Sequence, residues 1–348
     1  MLYDINNYLK PYWQGDIMYD ESCFVFEDEK GVIRDLTLLY KPEEIISVFD
    51  SSLTVKYEEG KDYCFENGAL KAIKGGKIPA LKYSDYYLNE KVEGKCFERR
   101  DGGFLAFREY YLMYPHQVLV TYRHNDSWIG YAPPMQGDKL KRALKKLEEK
   151  KPFKLLVYGD SISAGANSSG LQNENPHLPR WSNIIQERLK EKYGYEDIEL
   201  FNPSVGGKDV HWGNEGAYEN AAVHKPDLAI IAFGMNNVSS PLPYYKRETK
   251  SIMDIVLKEN PDCDIILVAP MLPNEELLGF WGNQKYQQYP LYELEQEYDC
   301  VAVANMTKYH ESLLEHKKFW DMTGNNVNHP NDFLIRGYAQ VILKTLEK

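Results

Sequence analysis

The chain has 348 residues, a formal net charge of −11, 43% hydrophobic residues and 27% charged residues. This length allows two ordinary domains with a sizeable core, and the composition is typical of a globular protein. The acidic balance argues against nucleic acid or an anionic membrane as the main partner, and leaves neutral small molecules and glycans open. The first residues show no basic region followed by an apolar core, and no apolar run is long enough to span a bilayer, which favours a cytoplasmic location.

The cysteines do not form a disulfide or metal-binding pattern. Their number, five, is odd, and no pair has the CxxC spacing typical of metal ligands. Unpaired thiols are typical of a reducing compartment. We therefore predict free thiols and no metal site. The residues concerned are Cys23, Cys64, Cys96, Cys263 and Cys300.

The first 136 residues are rich in short β-type runs. Alternating or aromatic-rich segments occur at residues 23–26, 46–49, 53–57 and 118–122, and glycine-containing turn signals separate them. Many short strands with regular turns predict an antiparallel sandwich, which we interpret as a jelly-roll domain over residues 1–136. The charge-dense segment 137–151 consists of good helix formers, and we interpret it as a connector.

A different pattern begins at residue 152, where apolar runs alternate with helical periodicity. The predicted strands are residues 154–158, 198–201, 228–233, 264–269 and 300–304. Apolar residues at helical spacing follow several of these strands, and a final helix starts near Phe333. Repeated β–α units predict a flavodoxin-like three-layer α/β/α domain with a parallel sheet over residues 152–348.

The first of these strands leads into Gly159-Asp160-Ser161. Open α/β sheets build their sites at the carboxyl ends of the strands, so Ser161 is a candidate nucleophile. Serine needs a base to take its proton, and a strand-to-helix turn also offers its backbone N–H to an oxyanion. Asp160 directly precedes the serine, and we interpret it as a residue that shapes the turn.

Two further strands end in groups that suit oxyanion binding. Gly206 and Gly207 follow the second strand, and a glycine allows close approach of the backbone to a ligand. Asn236 follows the third strand and carries an uncharged, directional amide donor. His329 stands in a turn before Pro330 and the last helix, which makes it the histidine with the most constrained setting. His211, after the glycine loop, is the second candidate base.

These blocks, in this order, resemble the SGNH (GDSL) hydrolase superfamily over roughly residues 152–348. The resemblance implies an esterase in which Ser161 is both nucleophile and oxyanion donor. Gly207, with Gly206 as the one-residue alternative, and Asn236 would complete the oxyanion hole. His329 would be the general base. The chemistry needs no metal or organic cofactor.

One position departs from the family pattern. The family usually has an aspartate three residues before the histidine, where this chain has Asn326. An asparagine does not stabilise an imidazolium as a carboxylate does. His329 could be oriented by a backbone carbonyl in a Ser–His dyad, Asp321 or Asp332 could take the role, or the site could be inactive. We favour the dyad; Asp332 also suits a helix N-cap before Phe333.

The predicted two-domain organisation resembles carbohydrate acetyl esterases of the CE2 type, some of which lack the third triad residue. This resemblance implies removal of acetyl or other short acyl groups from oligosaccharides through an acyl-serine intermediate. Polar and aromatic residues near the site favour a sugar over a lipid. The candidate substrate contacts are Asp160, His211, Trp212 and Trp281. A short-chain carboxylesterase or thioesterase, and a non-enzymatic glycan-binding protein with a relic hydrolase domain, remain as alternatives.

Overall fold

A computed structural model describes residues 2–348 of the protein. The strands are β1 Ile17–Phe24, β2 Phe26–Glu27, β3 Pro42–Asp50, β4 Tyr63–Glu66, β5 Ala69–Ala72, β6 Leu81–Lys82, β7 Tyr87–Leu88, β8 Cys96–Glu98, β9 Phe104–Ala106, β10 Gln117–His124, β11 Phe153–Gly159, β12 Ile198–Phe201, β13 Leu228–Ala232, β14 Asp264–Ala269 and β15 Val301–Asn305. The helices are α1 Ile5–Tyr8, α2 Tyr83–Tyr86, α3 Lys141–Glu148, α4 Ser161–Ala164, α5 Trp181–Tyr193, α6 Val210–Glu215, α7 Ala217–Asn220, α8 Leu242–Glu259, α9 Gln288–Glu297, α10 Met306–Leu314 and α11 Asp332–Thr345.

The carboxyl-terminal half is built on a parallel sheet with the strand order β12-β11-β13-β14-β15. Numbered within the sheet, this is the flavodoxin-like order 2-1-3-4-5. Alternate residues of each strand enter two different clusters of buried side chains, one on each face of the sheet. Helices α5 and α11 cover one face and α8 and α9 the other, which confirms the predicted α/β/α layers.

The ligand-binding crevice of such a sheet lies where the chain reverses direction across it, outside the carboxyl ends of the strands. Here that position is between β11 and β13. Ser161 begins α4 directly after β11, and the loop after β13 carries Asn236. The topology therefore brings these two predicted residues to one edge of the sheet.

The N-terminal region is rich in β structure, and the jelly-roll is not confirmed. Strands β1, β10 and β3 form an antiparallel sheet, whereas the other strands of the region form small separate sheets: β2 with β6, β4 with β5, and β9 between β7 and β8. These other strands are only two to four residues long. Such short strands do not provide the second broad sheet that a jelly-roll needs.

The predicted strand at residues 53–57 is wrong. Leu53 has a left-handed backbone with φ +59°, which an extended strand does not allow. The carboxylate of Asp50 accepts the N–H groups of Thr54 and Val55, both at 2.9 Å, and so closes a turn. The side chain of an aspartate at the end of β3 therefore overrides the β propensity of the apolar run.

The N-terminal region and the parallel sheet share one hydrophobic core. A continuous cluster of buried side chains includes Val48 and Val120 of the antiparallel sheet together with Val157 and Ile335 of the α/β half. Helix α3, in the predicted connector, buries Leu144 and its apolar neighbours in the same cluster. Along residues 2–348, no helix combines the length and the apolar character needed to cross a bilayer.

Candidate active site

The turn that presents Ser161 depends on its two preceding residues. A Cβ atom on Gly159 would lie 2.4 Å from the carbonyl oxygen of Ala232 on the neighbouring strand, so only glycine fits. Asp160 is the N-cap of α4, and its Oδ1 accepts the N–H of Ile162 at 3.0 Å. Ser161 is therefore the first residue of a short helix at the sheet edge, and it is 7% exposed.

Asp160 is buried beside the candidate nucleophile. Burial raises the pKa of its carboxyl to about 6, against the opposing effects of the Ile162 N–H and of nearby His329. Its hydrogen bond to the first turn of α4 means that Asp160 shapes the turn, and it does not hydrogen-bond to the imidazole.

Ser161 and His329 form a hydrogen-bonded pair. The distance between Ser161 Oγ and His329 Nε2 is 2.9 Å. The loop that carries His329 is fixed by Asn325, whose Oδ1 accepts the N–H groups of Val327, Asn328 and His329, each at 3.0 Å. The imidazole is thus held on a rigid loop opposite the serine.

The side chain of Asn167 sets the tautomer of His329. Asn167 Nδ2 donates to the carbonyl oxygen of Gly324 at 3.2 Å, so Asn167 Oδ1 faces His329 Nδ1 at 2.7 Å. An amide oxygen only accepts, so Nδ1 carries the hydrogen and the lone pair of Nε2 faces Ser161. This is the tautomer in which the imidazole can take the proton of the serine hydroxyl.

A carboxylate from the N-terminal region also reaches the imidazole. Glu109 Oε2 lies 3.3 Å from His329 Nδ1, and Glu109 Oε1 accepts from Asn325 Nδ2 at 3.3 Å. Burial raises the pKa of Glu109, but the hydrogen bonds and the charge of His329, together with the Asn325 amide, outweigh it and lower the pKa below its usual value. The carboxylate therefore stays ionised next to the imidazole.

Neither Asn326, at the position of the family's usual aspartate, nor the candidates Asp321 and Asp332 hydrogen-bond to the imidazole of His329. Asn326 is fully buried, its Oδ1 accepts from Tyr86 at 2.8 Å, and its Nδ2 donates to the carbonyl of Ala106 at 3.2 Å. The backbone of Asn326 is left-handed, with φ +67°, and its side chain is directed toward Tyr86 and Ala106. The position three residues before the histidine thus contacts the N-terminal region.

Neither aspartate hydrogen-bonds to His329. Asp321 accepts the N–H groups of Phe24 at 2.7 Å and Lys318 at 3.0 Å. Asp332 accepts the N–H of Ser169 at 2.9 Å. Burial raises the pKa of each carboxyl to about 6.

The predicted N-cap role of Asp332 is wrong. Asn331 is the N-cap of α11, and its Oδ1 accepts the N–H of Leu334 at 3.3 Å. The predicted backbone carbonyl at His329 Nδ1 is not observed either, since side chains of Asn167 and Glu109 occupy that side of the ring.

The glycine loop after β12 is tied to the nucleophile turn. The N–H of Val205 donates to the carbonyl of Gly159 at 3.2 Å. A Cβ on Gly206 would lie 3.7 Å from the Cβ of Ser161, so Gly206 faces the serine. Gly207 has φ +74°, a conformation that favours glycine. Both remain candidate oxyanion donors.

Asn236 lies beside the same loop. Its Nδ2 donates to the carbonyl of Lys208 at 2.9 Å, which links the loop after β13 to the residue that follows Gly207. The next residue, Asn237, accepts the N–H of Val210 at 3.1 Å. Hydrogen bonds therefore hold together the two loops that carry the candidate oxyanion groups.

The remaining predicted contacts lie around this edge. His211 is half exposed and pairs with Glu248 at 3.3 Å and Glu215 at 3.5 Å; its hydrogen bond to Glu248 raises its pKa. The structure thus pairs His211 with carboxylates and His329 with Ser161. Trp212 packs against Tyr158, with 5.9 Å between ring centroids, and is partly buried in the core.

Trp281 is also half-buried. The neighbouring Asn283 donates its N–H to the carbonyl of Val238 at 2.7 Å, two residues after Asn236. The guanidinium of Arg100 lies 5.8 Å from the centre of the Trp281 ring. Trp281 is therefore near the carboxyl end of β13, in contact with the N-terminal region.

Sequence reasoning missed Glu109, Asn325 and the role of Asn167 at the histidine. Asn167 is six residues after Ser161 and could have been considered as a local partner. Glu109 is 220 residues from His329 in the chain, and nothing in its own segment indicates that contact. Within residues 2–348, no group of three or more histidine, cysteine, aspartate or glutamate side chains is arranged to bind a metal.

A parallel α/β sheet with a serine–histidine pair at its carboxyl edge is an arrangement of ester hydrolases. The chain belongs to the GDSL-like lipase/acylhydrolase family, whose family model matches residues 157–333. Among proteins with curated functions, none matches the chain.

Several solved esterases are similar in structure. A two-domain esterase active on acetylated mannans, crystallised with mannopentaose, is 18% identical with a TM-score of 0.50, over 62% of this chain and 55% of that one. The acetyl xylan esterase AlAXEase is 18% identical with a TM-score of 0.45, over 55% of this chain and 98% of that one. An acetyl xylan esterase from Geobacillus stearothermophilus is 19% identical with a TM-score of 0.42, over 56% and 94%. The chain spans about half the length of the two-domain esterase, and at this identity the likeness to it shows a shared fold.

Proposed function

We propose that the protein is a serine esterase that removes acetyl or other short acyl groups from carbohydrate. The observation that carries the proposal is the chain of contacts at the sheet edge: Ser161 Oγ to His329 Nε2 at 2.9 Å, with Asn167 Oδ1 at 2.7 Å on the opposite nitrogen. It positions an imidazole to deprotonate a hydroxyl, which is what nucleophilic catalysis by serine requires.

In the first half-reaction, His329 Nε2 takes the proton of Ser161, and Oγ attacks the acyl carbonyl carbon. The backbone N–H groups of Ser161 and Gly207, or Gly206, and the amide of Asn236 stabilise the oxyanion of the tetrahedral intermediate. The intermediate collapses, the bond to the sugar oxygen breaks, and His329 gives its proton to that oxygen. The sugar leaves and the acyl group stays on Ser161.

In the second half-reaction, His329 takes a proton from water, which attacks the acyl-serine. The second tetrahedral intermediate uses the same donors and collapses to release the carboxylic acid, and the proton on His329 returns to Ser161 Oγ. Every proton passes through His329 Nε2, so no other base is required.

The carbohydrate part of the proposal is supported by a structural neighbour and by the side chains around the site. The two-domain esterase that shares the fold is active on acetylated mannans. Around the candidate site the side chains are polar or aromatic: Lys208 and Asp209 follow the glycine loop, Glu109 faces His329, and Tyr111 is 48% exposed two residues beyond Glu109. Hydrogen-bonding groups next to an aromatic face suit a sugar better than an acyl chain of a lipid.

The first prediction concerns the nucleophile. Ser161→Ala should abolish hydrolysis of p-nitrophenyl acetate and labelling by a serine-reactive phosphonate, with an unchanged melting temperature. Ser163→Ala is the matched control, because Ser163 is a buried serine on the same short helix. Its Oγ packs against Gly159, where it would lie 2.5 Å from an added Cβ, and the variant should keep the activity. Hydrolysis retained by Ser161→Ala would contradict the proposal.

The substrate class needs a separate measurement. We expect kcat/KM to be highest for acetylated xylo- or manno-oligosaccharides, compared with acyl-CoA and with simple esters of increasing acyl length. A preference for acyl-CoA would favour a thioesterase, and equal rates on all short esters a general carboxylesterase. Absence of turnover and of phosphonate labelling in the unmodified protein would favour the relic hydrolase domain.

A further inference from the structure

We propose that Glu109, supplied by the N-terminal region, is the positioning carboxylate of His329 and replaces the aspartate that the family usually carries three residues before the histidine. This inference rests on the proposed function and adds a residue outside residues 157–333, the part matched by the family. The geometry is the carboxylate of Glu109 at 3.3 Å from His329 Nδ1.

In a Ser-His-Asp triad one aspartate both sets the tautomer of the histidine and stabilises the imidazolium. Here two different partners of His329 Nδ1 have these two functions. Asn167 Oδ1, at 2.7 Å, makes the shorter hydrogen bond and determines the tautomer. It is neutral, so it does little to stabilise the positive charge that the ring acquires when it takes the proton of Ser161. Glu109 adds the negative charge.

Glu109 is held in this place by more than the imidazole. Its other oxygen accepts from Asn325 Nδ2 at 3.3 Å, and Asn325 also binds the backbone N–H of His329 at 3.0 Å. The segment that carries Glu109 is attached to the histidine loop, because the N–H of Tyr110 donates to the carbonyl of Gly324 at 3.0 Å. The same glycine carbonyl accepts from Asn167.

Other charged groups near His329, and exposure to water, limit the electrostatic effect of Glu109 on the imidazole. Besides Glu109, the buried carboxyl of Asp160 lies on the serine side and interacts with the imidazolium. The side chain of Glu109 is 52% exposed, so water screens part of its field. We therefore expect the charge of Glu109 to act at the lower end of the usual range for an adjacent carboxylate.

The test is the pH dependence of kcat/KM for p-nitrophenyl acetate, which has no sugar that Glu109 could bind. Glu109→Gln removes the negative charge that stabilises the protonated imidazole, so the acidic limb of the kcat/KM profile should move to lower pH. The kcat should fall on the order of tenfold. Glu90→Gln, an exposed carboxylate of the same region, removes the same charge and should change neither quantity.

A charge swap separates electrostatics from structure. The double variant Glu109→Gln/Asn167→Asp returns a carboxylate to Nδ1, and its acidic limb should shift back to or above the pH found for the unmodified enzyme. Melting temperatures of all variants check folding. The inference is overturned if the acidic limb of Glu109→Gln lies at the same pH as that of the unmodified enzyme. It is also overturned if the acidic limb of the double variant stays at the pH found for Glu109→Gln.

This outcome is distinguishable from failure of the proposed function. If the unmodified protein hydrolyses p-nitrophenyl acetate through Ser161 and Glu109→Gln has the same pH profile, the esterase proposal stands and the role of Glu109 is refuted. If the unmodified protein has no Ser161-dependent hydrolysis, the esterase proposal and this inference both fall.

Discussion

At the scale of single residues, the candidate site is organised around hydrogen-bond directions. The imidazole of His329 has two nitrogens, and the hydrogen-bond partner of Nδ1 determines whether Nε2 carries a hydrogen or a lone pair. Because Asn167 Nδ2 donates to the Gly324 carbonyl, its oxygen is left for His329 Nδ1 at 2.7 Å. A Cβ on Gly324 would lie 2.5 Å from the Cβ of Asn167, so the glycine provides the space that this arrangement needs.

The hydrogen-bond directions at Asn326 explain why placing the family's usual aspartate at this position should not improve catalysis. Asn326 donates to the carbonyl of Ala106 and accepts from Tyr86, in a fully buried setting. Asn326→Asp would lose the donor and bury a charge without a cationic partner, so we expect a loss of about 1–3 kcal/mol in the free energy of unfolding and no gain in kcat.

Urea denaturation and ester hydrolysis check this prediction. Asn173→Asp is the control, because Asn173 has a similar left-handed backbone, φ +57°, but an exposed side chain; it should cost much less. A rise in kcat for Asn326→Asp would mean that this position can reach the histidine.

At the scale of elements, sequence and structure agree where burial alone decides. The strand predicted at residues 198–201 coincides with β12 and that at 264–269 with β14. The other predicted strands of the α/β half differ by one residue, at one end for β13 and at both ends for β11 and β15. A parallel strand covered on both faces is a continuous apolar run, which is a strong local signal. The N-terminal strands give weaker signals because turns and side-chain caps, such as Asp50, compete with β pairing.

The junction of β11 and α4 is the element whose sequence is most restricted. Gly159 lies so close to the backbone of Ala232 that any side chain must displace one strand. Gly159→Ala should therefore lower the free energy of unfolding by about 1–3 kcal/mol, as for other overpacked sites. It should also lower kcat for p-nitrophenyl acetate, because Ser161 moves with the turn. Thermal unfolding and steady-state kinetics measure both, and an unchanged melting temperature would contradict the contact.

At the scale of the whole molecule, the N-terminal region is part of the same folded unit as the parallel sheet. The buried ammonium of Lys317 in the α/β half contacts the buried carboxylate of Glu21 on β1. Lys317 also donates to the carbonyl of Thr37 at 2.8 Å, and Glu21 accepts from Tyr122 at 2.6 Å. We expect one cooperative unfolding transition, because the core and this ion pair join the two regions.

Removing one partner of this ion pair should be costly. Lys317→Met leaves the charge of Glu21 buried and unpaired, so we expect a loss of about 3–5 kcal/mol in the free energy of unfolding. The double variant Glu21→Gln/Lys317→Met should recover part of that loss, since it removes the unpaired charge. Lys318→Met, at the exposed neighbouring position, should change stability by less than about 0.5 kcal/mol. Urea denaturation of the four proteins gives the comparison, and a small effect of Lys317→Met alone would refute this view of the ion pair.

The sequence by itself determined the parallel sheet and the residues at its edge, because a buried strand followed by a polar loop is a local pattern. Ser161 and Asn236 were predicted in this way, and His329 was predicted from its constrained turn before Pro330 and the last helix. The partner of the histidine was decided by tertiary structure. Asn326 turns toward the N-terminal region, and Glu109 reaches His329 from 220 residues away in the chain. That contact depends on how two distant loops dock through the Gly324 carbonyl, and no short segment of the sequence contains this information.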